Sequence, residues 1–354
     1  MLESLDKISD QLNLSHEVLN LIAEIDEFKG KWEVFSSLSP ERLSALRSVA
    51  TIESVGSSTR IEGVKLTDRE VETLLSNLKT YSFKSRDEEE VAGYAEAMEI
   101  IFESWQELSF TENHVKQLHS VLLKFSTKDI SHRGKYKTLS NNVVAFDKEG
   151  KEIGVVFATC SPFQTPFEME KLINWFNREK TIHPLLKIAV FIVCFLAVHP
   201  FQDGNGRLSR ILTTLLLLKF GYKYVPFASL ESVIEDNKDL YYNALRKTQK
   251  TLTENQTDWQ TWVLFFLRCL KKQKDRLSKK LERERLLLIK LPKLSGEILA
   301  LVREHERLTI SDLETFTQAN RNTLKVRLRE LVSDGFLSQS GKARATWYSL
   351  AKSS

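Results

Sequence analysis

The sequence predicts a mainly helical fold, and three observations carry that prediction. Apolar residues recur three and four apart, as Val18, Leu21, Ile22, Ile25 and Phe28 do, which lines one face of a helix. Breakers are scarce, with seven prolines in 354 residues. Two apolar runs, 188–198 and 211–218, read as buried helices on either side of a short polar loop that carries two glycines.

Each element has its own local reason. Ser39 as N-cap and Pro40 at the first helical position open a helix that runs to about residue 57. Residues 87–108 form another amphipathic helix, and Thr111 to His114 caps one that continues to Phe125. Residues 132–137 are a loop. The pattern then changes: 142–146 and 152–158 are β-prone and joined by 147–151, which reads as a hairpin with an exposed edge. Helices follow from Thr165 to Asn177, from Pro184 and from Arg207, and Asp239 to Leu245 belongs to the next. Trp259 and Trp262 read as core of the helix that closes this region.

Residues 271–285 crowd charges on an amphipathic pattern without glycine or proline, the signature of a stiff connecting helix. Beyond it, a helix over 295–305, a second from Thr309 and a third from Ala319 or Asn320 precede two β-prone segments, 336–339 and 346–350. Leu324, Leu328 and Leu331 face inward on the third helix, and Gly335 ends it. This order resembles a winged helix-turn-helix. The expected organisation is an N-terminal helical region (1–109), a core (110–270), a connecting helix (271–292) and the C-terminal module (293–354).

Composition narrows the class. Hydrophobic residues make up 42% of the chain and the net charge is +4, which implies no overall affinity for polyanions. Cys160, Cys194 and Cys269 are odd in number and share no metal spacing, so reduced thiols in a cytoplasmic protein are expected. No basic flank with an apolar stretch marks a signal peptide, and the 188–198 run is too short to span a bilayer, so no membrane is expected.

The loop between the two apolar runs concentrates the chemistry: His199, Pro200, Phe201, Gln202, Asp203, Gly204, Asn205, Gly206, Arg207, Leu208, Ser209 and Arg210. Gly204 and Gly206 flank Asn205 where a helix begins, and the unpaired amides of a helix start make an anion cradle. Arg207 and Arg210, three apart, bring guanidiniums whose donors match phosphate oxygens in pairs. Asp203 is a hard oxygen ligand able to hold Mg2+ on those phosphates. His199 is the residue here that exchanges a proton near neutral pH, and so can accept one from a hydroxyl. Taken singly, a His before Pro is usually structural and paired arginines are usually a solvated face. The conjunction is what points to phosphate chemistry.

HPFQDGNGR, residues 199–207, fits the Fic motif HPFx(D/E)GN(G/K)R at every position, and the chain resembles the Fic (Fido) family over roughly residues 40–270. The resemblance implies a helical bundle with a β-hairpin flap and transfer of AMP from ATP to a Ser, Thr or Tyr hydroxyl of a target protein. It makes His199 the general base, Phe201 the anchor of the loop and Asp203 the Mg2+ ligand. Gly204, Asn205 and Gly206 then bind the α- and β-phosphates and Arg207 the outer ones. Gly206, where relatives of the phosphotransfer type carry Lys, favours AMP transfer. Residues 132–137 look like the family's RGxYR turn with Lys137 for Arg, the 142–158 hairpin like its flap holding the protein substrate, and Tyr241 and Tyr242 like the pair that borders the adenosine.

Ser57 to Gly63 passes on its own as a helix end closed by glycine. Beside a Fic motif it resembles the inhibitory signature (S/T)xxxE(G/N), with Ser58 and Glu62 at its fixed positions. That implies Glu62 pairing with Arg210 in the place of the ATP γ-phosphate, in an N-terminal inhibitory helix. The same glutamate orients water for AMP removal in other relatives.

Competing readings are a DNA-binding regulator whose Fic domain senses nucleotide, or a Fic enzyme that transfers another group or removes AMP. For DNA, Arg321, Asn322, Lys325, Arg329, Lys342 and Arg344 within 320–344 are the contact candidates, although Lys and Arg exceed Asp and Glu by only about three over 293–354. By analogy with relatives, a homodimer is expected.

Overall fold

The fold is described from a computed structural model covering residues 2, 5, 8–35, 40–78, 82–146, 152–254, 256–289, 292–334, 336–341 and 346–351. In chain order the helices of the first half are α1 (Ile8–Gln11), α2 (His16–Phe35), α3 (Pro40–Ile61), α4 (Asp68–Ser76), α5 (Arg86–Ser104) and α6 (Glu112–Leu122). Strands β1 (Val143–Phe146) and β2 (Glu152–Phe157) follow, then α7 (Thr165–Arg178), α8 (Pro184–Val198), α9 (Asn205–Lys219), α10 (Leu230–Glu235), α11 (Lys238–Thr251) and α12 (Trp259–Ile289). The C-terminal part is α13 (Lys293–His305), β3 (Arg307–Thr309), α14 (Ile310–Thr317), α15 (Arg321–Ser333), β4 (Leu337–Ser340) and β5 (Trp347–Leu350). The protein is mainly helical.

The starts of these helices follow from capping chemistry. The Thr67 and Ser85 side chains accept from the backbone amides of Glu70 and Glu88, and Thr111 does the same for His114. Asp87, Glu88 and Glu89 lie in the first turn of α5, where carboxylates complement the helix dipole. Pro184 opens α8 at a position where its missing N–H costs nothing. The expected helix from Pro40 continues to Ile61, and the chain then turns at Gly63, whose φ of 106° suits glycine. Ser39, Gly335 and the 147–151 connection lie outside the described residues.

Two compact units divide the chain: Met1–Glu33 with Arg47–Asp275, and Val34–Leu46 with Arg276–Ser354. The boundary falls inside α12, one helix over both the end of the 110–270 segment and most of the 271–292 connector.

The first unit is built around α8, whose residues from Leu185 to Val198 are all buried. A helix apolar on every side can satisfy itself only at the centre of a bundle. It packs against α7, α9 and α11, and the Trp262 indole donates to the Ala189 carbonyl at 2.7 Å. Fully burying each of its Leu, Ile, Val or Phe side chains contributes roughly 1.5–3 kcal/mol relative to exposure. Cys194 is part of this core, and all three cysteines are buried free thiols. Gly93 lets α5 approach α6 closely, since a Cβ there would meet the Leu122 carbonyl at 2.0 Å. The strands β1 and β2 pair antiparallel, with Val144 opposite Val155 and Ala145 opposite Gly154. Among the described residues no helix is long and apolar enough to cross a membrane.

In the second unit, Ile298, Val302, Leu313, Leu324, Leu328, Leu331 and Leu337 form one core. Thr309 and Asp312 make a capping box for α14, and the Asn320 side chain caps α15. The sequence showed two strands here; the structure has three, in the order β3-β5-β4, both pairs antiparallel. β3, only three residues long, is fixed by its partner β5 rather than by local pattern.

Candidate active site

The polar loop sits where α8 ends and α9 begins. His199 closes α8 in the left-handed conformation, φ 52°, and Gly204 opens α9 at φ 80°. Two left-handed residues five apart reverse the chain tightly between two buried helices. α9 starts at Asn205, two residues before the position expected from sequence, because Gly204 makes the turn and frees Asn205 to enter the helix.

Phe201 is fully buried and stacks on the His119 ring at 3.8 Å between centroids. Asn205 closes the loop: its Nδ2 donates to the Phe201 carbonyl at 2.7 Å and its Oδ1 accepts from the Phe201 amide at 2.9 Å. The Asn205 side chain is thus committed to the loop itself, leaving its backbone amide at the helix start. No side chain caps that start. A dipole end without a side-chain cap suits an anion.

His199 donates from Nδ1 to the Leu196 carbonyl, 3.2 Å away. A carbonyl only accepts, so this contact places the ring proton on Nδ1 and leaves Nε2 as a lone-pair acceptor. Burial lowers the His199 pKa to about 4, with the Leu196 hydrogen bond opposing. At neutral pH the ring is a free base.

Asp203 uses Oδ1 to accept from the Gly204 amide at 2.5 Å and from Arg207 Nη2 at 3.3 Å; Oδ2 accepts from Arg86 Nη2 at 2.8 Å. Burial pushes this carboxyl up, but Arg207, the Gly204 amide and Arg86 outweigh it, and the net shift is below the usual Asp value. Arg207 is fully buried and its Nη1 lies 2.8 Å from Glu90 Oε2.

Arg210, 4% exposed, belongs to a separate cluster. Its Nε donates to Ser58 Oγ at 2.7 Å, and its Nη2 to the Ser58 carbonyl at 2.9 Å and to Glu62 Oε1 at 2.7 Å. Burial penalises its charge, and Glu62 and neighbouring groups more than restore it, so its pKa rises. The Glu62 carboxylate also lies against the start of α9, where a Cβ on Gly206 would come within 2.2 Å of Glu62 Oε1. Tyr241 and Tyr242 meet edge to face at 5.1 Å on α11, near enough to Arg210 and Glu62 to feel their charges. Burial raises both phenols.

Residues 109–217 match the sequence model of the Fic/DOC family. The chain contains a Fic domain. The Drosophila melanogaster protein adenylyltransferase Fic is 26% identical over 278 residues, 77% of this chain and 47% of its own length. This chain spans less than half the length of the curated relatives it matches. A Fic family protein from Desulfovibrio desulfuricans G20 superimposes with a TM-score of 0.65 at 22% identity, over 97% of this chain and 98% of that one, and shows the fold. A Fic domain containing signaling protein from Bacteroides thetaiotaomicron VPI-5482 gives 0.58 at 25% identity, over 71% and 94%.

The loop also depends on Lys137 of the RGxYR-like turn and on two residues that sequence reasoning did not single out, His119 and Asn141. His119 accepts the Gly134 amide at Nδ1, 2.8 Å, and its Nε2 therefore donates to the Asp203 carbonyl, 2.9 Å. Burial lowers its pKa to about 4, so a neutral ring ties the loop to α6. Asn141 donates to the Phe201 carbonyl at 2.6 Å and to the His199 carbonyl at 3.3 Å. Lys137, buried in the RGxYR-like turn, donates to Asn141 Oδ1, Thr159 Oγ1 and the Val198 carbonyl, and burial lowers its pKa to about 8. These three reach the loop from 58 to 84 residues away in the chain. Only Lys137 had a signal, its place in the turn.

Proposed function

We propose that the chain is a protein AMP-transferase that moves AMP from ATP to a Ser, Thr or Tyr hydroxyl of target proteins, itself included, and is held off by Glu62. The observation that supports this most is the free Nε2 of neutral His199 beside an uncapped helix start backed by two buried arginines. His199 takes the hydroxyl proton at Nε2. The oxygen bonds to the α-phosphorus, the bond from that phosphorus to the pyrophosphate oxygen breaks, and pyrophosphate carries away the electron pair. The first amides of α9 and Arg207 hold the phosphates, so the protein contributes chiefly position and charge stabilisation.

Mg2+ is usually held by one or two carboxylates plus substrate phosphates. Among the described residues no group of three or more His, Cys, Asp or Glu forms a metal cage, so a single carboxylate, Asp203, suits an ion that arrives with ATP. Bound there, Mg2+ supplies charge neutralisation to the phosphates. Glu62 occupies the anion position at the start of α9 and the Arg210 donor that a γ-phosphate needs, since carboxylate and phosphate both take guanidinium hydrogen bonds. The β1–β2 hairpin holds an extended target segment by strand addition. The same reading expects a cytoplasmic enzyme that works as a homodimer.

Two specific observations favour further readings. Glu62 is 32% exposed, so its carboxylate has access to water and can orient one for AMP removal. On α15, Arg321, Asn322, Lys325 and Arg329 are exposed, which favours phosphate contacts by a winged-helix-like unit; Lys342 and Arg344 lie outside the described residues.

The test is an incubation of wild type, Glu62→Gly and His199→Ala with labelled ATP, UTP, GTP and CDP-choline, followed by mass spectrometry. AMP on hydroxyl side chains, strongest in Glu62→Gly and absent in His199→Ala, is expected. Preferential transfer from another donor overturns the assignment of AMP.

A further inference from the structure

Four charged side chains form a closed ring beside the loop. Arg86 Nη2 meets Asp203 Oδ2 at 2.8 Å, and Arg86 Nε meets Glu90 Oε1 at 2.7 Å. Glu90 Oε2 meets Arg207 Nη1 at 2.8 Å, and Arg207 Nη2 meets Asp203 Oδ1 at 3.3 Å. Two guanidiniums and two carboxylates leave the ring with no net charge. Its members differ in depth: Arg207 is fully buried and Glu90 10% exposed, while Arg86 and Asp203 are 43% and 38% exposed.

The two oxygens of Asp203 are therefore unlike. Oδ1 is held by the loop itself, through the Gly204 amide and Arg207. Oδ2 faces Arg86, the first residue of α5 and outside the motif. Arg86 is also the member free to leave: it is exposed, and its Nε remains on Glu90 when Nη2 moves.

We propose that Arg86 is the resident counter-ion of Asp203, which a divalent cation must displace, and that it sets the cation concentration at which the site loads. The inference rests on the reading of Asp203 as the carboxylate that holds Mg2+. Glu62 puts an internal carboxylate where a phosphate oxygen would lie, and Arg86 puts an internal cation where the metal would lie. The apo site is then filled by a charge imitation of its own metal–nucleotide ligand. Arg86 enters no bond-making step, so it is a positioning residue.

An ion pair of this exposure is worth roughly a two- to fivefold change in a competing equilibrium. The test uses the full chain in the Glu62→Gly background and measures ATP binding by calorimetry as a function of Mg2+. Arg86→Ala is expected to lower the half-saturating Mg2+ about two- to fivefold without strengthening ATP binding in the absence of Mg2+. Arg86→Lys, which keeps the cation, should stay with the parent. An unchanged or higher Mg2+ requirement in Arg86→Ala, with a Mg2+-dependent parent, overturns the inference alone. ATP binding by the parent that does not depend on Mg2+ overturns the assignment of Asp203 and the inference with it.

Discussion

Glu62 Oε1 lies 2.7 Å from Arg210 Nη2 and would lie 2.2 Å from a Cβ on Gly206, so one carboxylate oxygen bridges a buried guanidinium and the start of α9. The contact depends on residue 206 being glycine, because a larger side chain claims the same space. It joins the turn that follows α3 to α9 across a sequence separation of 148.

Removal of the carboxylate has two opposed effects. Glu62→Gly leaves Arg210 with Ser58 and removes its charged partner, which costs roughly 1–3 kcal/mol of stability. It also opens the anion position. We expect a lower melting temperature without ligand and a larger rise on addition of Mg-ATP than wild type shows, both read by thermal shift.

Gly206→Ala reaches the same end by steric means. The atom in the way is the tip of a flexible side chain, so the expected response is that Glu62 swings out. A double-mutant cycle checks this. Gly206→Ala should destabilise wild type by roughly 1–3 kcal/mol and a Glu62→Gly background by much less, because the lost contact is already gone there. Additive effects would contradict it.

Acid sensitivity follows from two histidines whose charged form burial disfavours. His119 and His199 have folded pKa values of about 4, below the usual 6.5. Above pH 6.5 both states are neutral and nothing is lost. As pH falls from 6.5 toward 4 the unfolded chain takes protons the folded one refuses, so stability drops through that window. For fully buried His119 the full effect is on the order of 3 kcal/mol. His119→Gln should flatten the denaturation midpoint between pH 6.5 and 4 relative to wild type.

The same shift on His199 bears on activity. A base with a pKa of about 4 stays unprotonated in mildly acidic solution, so the acid limb of kcat/KM should fall well below pH 6.5. A limb centred at or above 6.5 would show that the ring is solvated during turnover.

What the sequence disclosed depends on where the partners lie. His199 to Arg210 are contiguous, so their chemistry was legible as a group, and Glu62 became legible through a spaced signature. Glu90 read as one more charge in an amphipathic helix; its i,i+4 partner Arg86 is local, but nothing local shows that Arg207 neutralises it from the other side. His119, Asn141 and Arg86 are single residues without pattern, brought to the loop only by tertiary packing. Asn205 illustrates the converse: its side chain holds the Phe201 backbone, while the notation of the motif suggests only a phosphate contact. Short elements such as β3 and α10 were missed because three to six residues carry too little periodicity.

The most direct measurement is transfer from ATP labelled at the α-phosphate to the chain itself, comparing wild type, Glu62→Gly and the double variant Glu62→Gly with His199→Ala. Weak labelling of wild type, labelling at least tenfold stronger in Glu62→Gly, and none in the double variant are expected. Equal labelling of wild type and Glu62→Gly, or labelling that survives loss of His199, would contradict the proposed function.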